Sequence, residues 1–413
     1  MKKFLFFITL NLIGIFSIAQ INQSIFLIAR NTGEKQLANN DTIRVFGFAT
    51  SLNAQPNVPG PTLIMNEGDS IEIDVWNVSQ GAPHTIHLHG LDVNQQNDGV
   101  PHLSFDIPHM DHGFYYFKAP HAGTYLYHCH VASTIHVQAG MYGLIIVRPP
   151  NGSYTTYTGG DSFDNELPLF MSEIDTTWHR DSVLLHDHDT SLSIHLVDIP
   201  DYDPQHFLVN GFSDQQIVQN QIALNTNVGK VSYVRLANIG YFGTRIIFPS
   251  ALNAKIVTSD GRPLPNPEIN DTVYVYPGER YGVLVEPSTP LMDSITIEYI
   301  NMNNSVVKGV QKVAVDVGPL GIPDFKNAEL SLSIFPNPFQ SETTVQLTVN
   351  VSSKIKVNVK DLNGKIIGVL ANKLFEPGNY QLKFEDNSLA KGVYLIEVLK
   401  DNKQLVSKKI IKL

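Results

Sequence analysis

The chain has 413 residues, more than one ordinary domain and enough for two or three of about 150 residues each. Hydrophobic residues make up 43% and charged residues 16%, which rules against intrinsic disorder. The formal net charge of -10 argues against nucleic acid as a partner, because phosphate neutralisation needs a basic surface.

Taken in chain order, the first element is a secretory signal. Lys2 and Lys3 precede an apolar run from Phe4 to Ile18, too short to span a bilayer. Ser17-Ile18-Ala19 is a small-x-small site, so residues 1–19 are expected to be cleaved before Gln20. An uncleaved anchor helix is the alternative, but polar Asn22, Gln23 and Ser24 follow with no stop-transfer pattern. No later segment is apolar enough to cross a membrane, so no stable insertion is expected. The expected location is secreted or cell surface, reached through the periplasm.

Beyond Ser24 the chain alternates short apolar runs with Gly, Pro, Asn and Asp, and no long stretch has helical periodicity. Ser70 to Trp76, Gly143 to Val147 and Val273 to Tyr276 are examples. An all-β chain of Greek-key sandwiches is predicted. Turn-rich strings at Pro149 to Ser153 and Gly318 to Pro323 divide it into blocks at 20–149, 150–320 and 330–413. From Lys326 onward 13 lysines face 8 acidic residues, so that end is near +5 and the rest near -15. Such asymmetry suggests a separate module.

The chemistry gathers in the first block. Ten of the 15 histidines lie between His84 and His136, and the chain has one cysteine, Cys129. A lone thiol in an exported chain has no disulfide partner, and a metal is a good reason to keep it. The strings are His84-Thr85-Ile86-His87-Leu88-His89-Gly90 and Tyr127-His128-Cys129-His130, followed by His136 and Gly140-Met141. Residues i and i+2 of a strand share a face, so His87 and His89 point one way, as do His128 and His130, while Cys129 points to the other. Two sites back to back are predicted. His84 can face the Cys129 side, and His136 and Met141 are expected on a loop closed by Gly140. Two imidazoles, a thiolate and a weak axial thioether suit blue copper, whereas zinc would not recruit methionine.

These strings resemble the multicopper oxidases, within the cupredoxin superfamily, over nearly all of residues 40 to 290. In that family His-x-x-His-x-His-Gly carries a type 1 ligand followed by two trinuclear-cluster ligands, and His-Cys-His sets the type 1 thiolate between two type 3 ligands. The resemblance implies type 1 copper at His84, Cys129, His136 and Met141, a type 2 ligand in His87, and type 3 ligands in His89, His128 and His130. Asp98, in Asn97-Asp98-Gly99, matches the acid that helps deliver protons and is the catalytic candidate. His136 stands seven residues after Cys129, farther than in many three-domain members. The run His109-Met110-Asp111-His112 reads as a solvated loop able to scavenge copper, and His102, His121, His186 and His188 carry weaker cases.

The second block resembles the family's copper-free domain through Phe207 to Gly211, Arg235 to Asn238, Ser259 to Gly261 and Pro277 to Tyr281, read as packing and turn motifs. The third resembles the C-terminal sorting domain of the type IX secretion system, in strings such as Ile334 to Phe339, Val359 to Lys365 and Lys408 to Leu413. It implies a small sandwich of about seven strands, an address read by the secretion machinery. The fold class is therefore two cupredoxin-like Greek-key β-sandwich domains followed by a small β-sandwich sorting domain.

The family draws its trinuclear ligands equally from two copper-binding domains, and this chain shows one set of four. Three completions stand open: a homo-oligomer, dimer or trimer, that joins half-sites; a smaller centre using His186, His188, His195 or His206 of a neighbour; or no cluster at all. The leading expectation is a copper-dependent oxidoreductase that takes electrons from a small reducing substrate and gives them to oxygen. The alternatives are a copper nitrite-reductase-like enzyme and a non-enzymatic copper or electron carrier.

Overall fold

A computed structural model describes residues 21–81, 83–184, 199–319, 330–337, 339–349, 351–361, 364–385, 389–400 and 403–412. The expected signal peptide, His186, His188, His195, the end of the second break from Leu320 to Pro323, and Pro338, Leu362, Asn363 and Leu413 lie outside them. The chain divides into two compact units at Leu320.

The first unit opens with eight strands: β1 Gln23–Gln36, β2 Thr42–Ala49, β3 Leu63–Asn66, β4 Ser70–Asn77, β5 His87–His89, β6 His112–Lys118, β7 Gly123–His128 and β8 Tyr142–Arg148. They form two four-stranded sheets, ordered β2-β1-β4-β6 and β3-β8-β7-β5. β1 and β4 pair in parallel, as do β3 and β8, so the chain crosses between sheets in Greek-key fashion. Period-two patterning explains the packing. In β4, Ile71, Ile73 and Val75 turn inward, and in β6 Tyr115 and Phe117 do so. They meet Tyr125, Tyr127, Ile145 and Val147 of the other sheet, and Cys129 and Met141 lie in this same core.

β7 and β8 are buried on both faces, which alternation alone does not predict. Their outer face is covered by a second sandwich in the same unit. Leu126, Leu144 and Ile146 pack with Phe170, Ala237 and Ile239. That sandwich has a six-stranded and a five-stranded sheet. Its strand β9, Asn165–Ile174, lies between strands His206–Val209 and Ser232–Asn238. Two short helices stand beside the first sandwich, α1 at Ser133–Ala139 and α2 at Asp181–Leu184.

The second unit is a three-stranded sheet and a four-stranded sheet around Val345, Leu347, Ile355, Val357, Phe375, Ile396 and Val398. Its strands bear out the expected small sandwich. The first unit bears out the all-β reading.

Candidate metal centre

β7 ends at His128, and the following Cys129 turns into the first sandwich's core. Its sulfur lies 3.7 Å from Nδ1 of His84 and 3.3 Å from Nδ1 of His136. All three side chains are fully buried, and their donor atoms lie within 4.8 Å of one another. His84 is aimed by its other nitrogen, since Nε2 lies 2.9 Å from the Ser79 hydroxyl. Its backbone bridges to Ile107, and Asn77 holds both Ile107 and Ser79.

His136 does not sit on a loop. The segment expected to be irregular forms α1, with His136 at its centre. The helix stops at Gly140, whose N–H bonds back to the carbonyls of His136 and Val137. Met141 then donates its N–H to the His136 carbonyl and accepts from the Cys129 N–H, both at 2.9 Å. One backbone knot thus joins His136, Cys129 and the fully buried Met141.

Burial alone would push the Cys129 thiol up, but the imidazoles of His136 and His84 outweigh it and bring it down to about 5. A thiolate and two imidazole nitrogens in a dry core beside a thioether fit copper as a donor set.

On the other side of the strand end, His87 pairs in register with His128, and His89 lies two residue pairs along. Donor atoms of His87, His89 and His128 lie within 4.8 Å of one another. The His130 ring stands 5.4 Å from that of His87 and 5.9 Å from that of His128, centre to centre. So four rings face one another, with His130 outside the tight set of three. The backbone engages one nitrogen of each: His87 Nδ1 with the Asp98 carbonyl at 2.8 Å, His128 Nδ1 with the Cys129 carbonyl at 3.0 Å, and the His89 ring with the Gly278 backbone, while His89 Nδ1 and His128 Nε2 face each other at 3.4 Å. Such bonds fix ring orientation and leave the second nitrogen for a metal. Burial holds His89 down to about 4, helped by Arg280 and His87. Burial likewise holds His128 down to about 3, against its Cys129 hydrogen bond. Both rings are neutral at pH 7, as ligands must be.

The second sandwich supplies one wall. Gly278 closes on His89, and the Arg280 guanidinium packs on Gly90 while it bonds the Gly278 carbonyl at 2.7 Å and Asp260 at 3.0 Å. The strings read as packing and turn motifs therefore touch the histidine set. Asp98 places its carboxylate 3.5 Å from His87 Nδ1. Gly99 makes that approach work. It holds φ at +80°, and a Cβ there would collide with the Ile86 carbonyl.

The weaker candidates stand apart from both sets. His102 is exposed, and His121 faces Asp92. His112 bonds Asp74 at 2.7 Å in a row of stacked rings with Trp76 and Phe114. His109 is exposed but bonds the Ser79 carbonyl, one residue's breadth from the His84 contact. His206 lies in a strand of the second sandwich, and buried His179 bonds the Arg44 carbonyl. Sequence reasoning missed Ser79, Gly278 and Arg280, because no local spacing marks a residue that acts through another ligand's far side.

Residues 47–152 and 174–312 match the multicopper oxidase family, and residues 333–412 match the secretion system C-terminal sorting domain. Laccase-15 of Oryza sativa subsp. japonica is 29% identical over 252 residues, 58% of this chain and 39% of the laccase. An L-ascorbate oxidase of Cucumis sativus is 26% identical over 249 residues, 55% of this chain and 40% of that protein. The chain thus spans about two-fifths of these relatives. Among solved structures, the blue copper oxidase of Nitrosomonas europaea is similar at a TM-score of 0.55 and 27% identity, over 71% of this chain and 86% of that one.

Proposed function

This chain belongs to the multicopper oxidase family and carries a type IX secretion sorting domain at its C-terminal end, and from that premise we propose that it is an exported oxidoreductase. It would take single electrons from a small reducing substrate and deliver them to oxygen. One observation carries the reading: Cys129, buried between His84 and His136, is joined by peptide bonds to His128 and His130 of the other histidine set.

Copper held at His84, Cys129, His136 and Met141 would supply one-electron chemistry, and copper at the second set would supply oxygen reduction. The chain's own part is to bind and orient. Ser79 turns His84 toward Cys129, the Met141 backbone ties His136 to Cys129, and the core excludes water from all three. Asp98, partly exposed beside His87, is the group that would carry protons to the second set. Among the described residues the second sandwich meets His89 with Gly278 and Arg280 and brings no further imidazole. That favours a partner subunit, in a dimer or trimer, as the source of the missing ligands. The sorting domain is read as the address for passage from the periplasm to the surface.

The tight set of His87, His89 and His128 favours a second reading, a single type 2 copper at these histidines, as in a nitrite-reductase-like enzyme, where the second domain of a neighbouring subunit would supply a catalytic histidine. Copper analysis, visible absorption and electron spin resonance of the purified protein separate the cases. The oxidase reading expects more than one copper per chain, a blue thiolate band lost in Cys129→Ser, and oxygen uptake with a phenol or cuprous ion. One copper per chain without oxygen uptake would overturn it.

A further inference from the structure

A buried polar cluster behind α1 takes no part in the chemistry above. The helix carries His136 at its centre, and the second sandwich grips it on both sides of that residue. On one side the Tyr241 hydroxyl donates to the Thr134 carbonyl. On the other, Nε2 of Gln138 donates to the Glu173 carbonyl at 3.2 Å and to the Tyr202 hydroxyl at 2.9 Å, while Oε1 accepts from the Asp175 N–H at 2.9 Å. Thr134 and Gln138 stand two residues before and two after His136, so the two grips bracket the ligand.

Both grips converge on one carboxyl group. Oε1 of Glu173 accepts from the Tyr202 hydroxyl at 3.0 Å, from the Phe242 N–H at 3.0 Å and from the Tyr241 N–H. Glu173 is 2% exposed, and its Oε2 has no hydrogen-bond partner among the described residues. The tyrosine rings are themselves fixed, at 5.1 Å from each other, with Trp178 5.3 Å from Tyr202.

Stability does not explain a carboxyl group here. An unsatisfied buried oxygen is destabilising, and a neutral amide would offer the same accepting oxygen without a charge to bury. What the carboxyl group adds, when ionised, is charge and hydrogen-bond strength at the root of a short chain that ends at His136. We propose that Glu173, acting through Tyr202 with Gln138 and through Tyr241, positions the helix that carries His136 and thereby sets how readily the His84/Cys129/His136 centre accepts an electron. The inference rests on the copper reading of that centre. Small changes in the hold on a ligand change the electron affinity of a copper–thiolate site, and the contact at stake is the 3.3 Å approach of His136 to Cys129. Glu173, Tyr202 and Tyr241 are positioning residues, since none touches the ligand atoms.

The test uses the full copper-loaded chain as wild type, Tyr202→Phe and Glu173→Gln. Copper per chain is measured, together with the equilibrium constant for reducing the blue band against a fixed redox mediator. Copper content is expected to hold, while that constant moves threefold or more in both variants. A wild-type constant in copper-replete Tyr202→Phe and Glu173→Gln, with only the melting temperature changed, reduces the cluster to packing and overturns the proposal. If Glu173→Gln does not fold, Tyr202→Phe decides alone, because its ring keeps the aromatic contacts. A wild-type protein with no blue band sinks the copper reading and this inference together. A blue wild type with unmoved variants sinks only the positioning role.

Discussion

Gly140 holds φ at +117°, and a Cβ built there would collide with Val58 and approach the Phe46 carbonyl at 2.7 Å. Its neighbours on the chain make the bond between Met141 N–H and the His136 carbonyl, so strain at this residue passes straight to two candidate ligands. Gly140→Ala is therefore expected to destabilise the protein by about 1–3 kcal/mol, as left-handed strain and a forced contact do. Denaturant unfolding measures the loss, and an unchanged midpoint would show that the turn relaxes freely. At this scale much was legible in the sequence. His87, His89, His128 and His130 stood out by spacing, because alternate residues of a strand share a face. Ser79 did not. It bonds the far nitrogen of His84 from five residues away along an irregular segment, with no periodicity to betray it.

Among the elements, α1 shows where sequence reading stops. Ser133–Ala139 has β-branched Thr134, Ile135 and Val137, a start at Ala132 in the left-handed region and no side-chain cap, so local propensity argues against a helix. Tertiary contacts supply what is missing. Ile135 and Ala139 enter the first core, Val137 enters the seam between sandwiches, and Gln138 is tied to β9 and Tyr202. The strands, by contrast, were readable, since β4 and β6 alternate cleanly between core and solvent. The carboxyl group behind α1 gives the second prediction at this scale. Burial raises Glu173 to about 7, only partly offset by the N–H groups of Tyr241 and Phe242 and the Tyr202 hydroxyl. The unfolded chain would release that proton near the ordinary value of 4.5, so between 4.5 and 7 the folded chain binds more protons. Its contribution is fully present below 4.5 and is lost as pH rises through about 7. The component is on the order of 3 kcal/mol. Comparing urea unfolding of copper-free wild type and Glu173→Gln across that range should show a steeper fall in the wild type. Parallel curves would mean that Glu173 ionises as freely in the folded protein as in the unfolded chain.

For the first unit as a whole, the seam between the two sandwiches decides whether they behave as one. It joins Leu126, Leu144 and Ile146 to Phe170, Ala237 and Ile239, an apolar contact buried from both sides. A charged network crosses the same seam. Arg235, 1% exposed, donates from Nε to Glu166 at 3.0 Å and from Nη1 to the Thr124 hydroxyl at 3.0 Å, while Arg148 takes the other oxygen of Glu166. Thr124 belongs to β7, four residues before His128, so this network and one candidate ligand share a strand. The block boundaries drawn at turn-rich strings could not reveal this, because the pairing spans more than a hundred residues and leaves no local mark. Removing Arg235 leaves Glu166 paired with Arg148 alone and the Thr124 hydroxyl without its donor, a loss below the roughly 3–5 kcal/mol of a fully broken buried pair. Arg235→Leu should therefore lower the calorimetric transition of the whole first unit, with both sandwiches still melting together, because neither has an independent cover for β7 and β8. Two separate transitions in the variant, one near the wild-type temperature, would show instead that each sandwich is stable alone and that the seam is an adhesion between finished domains.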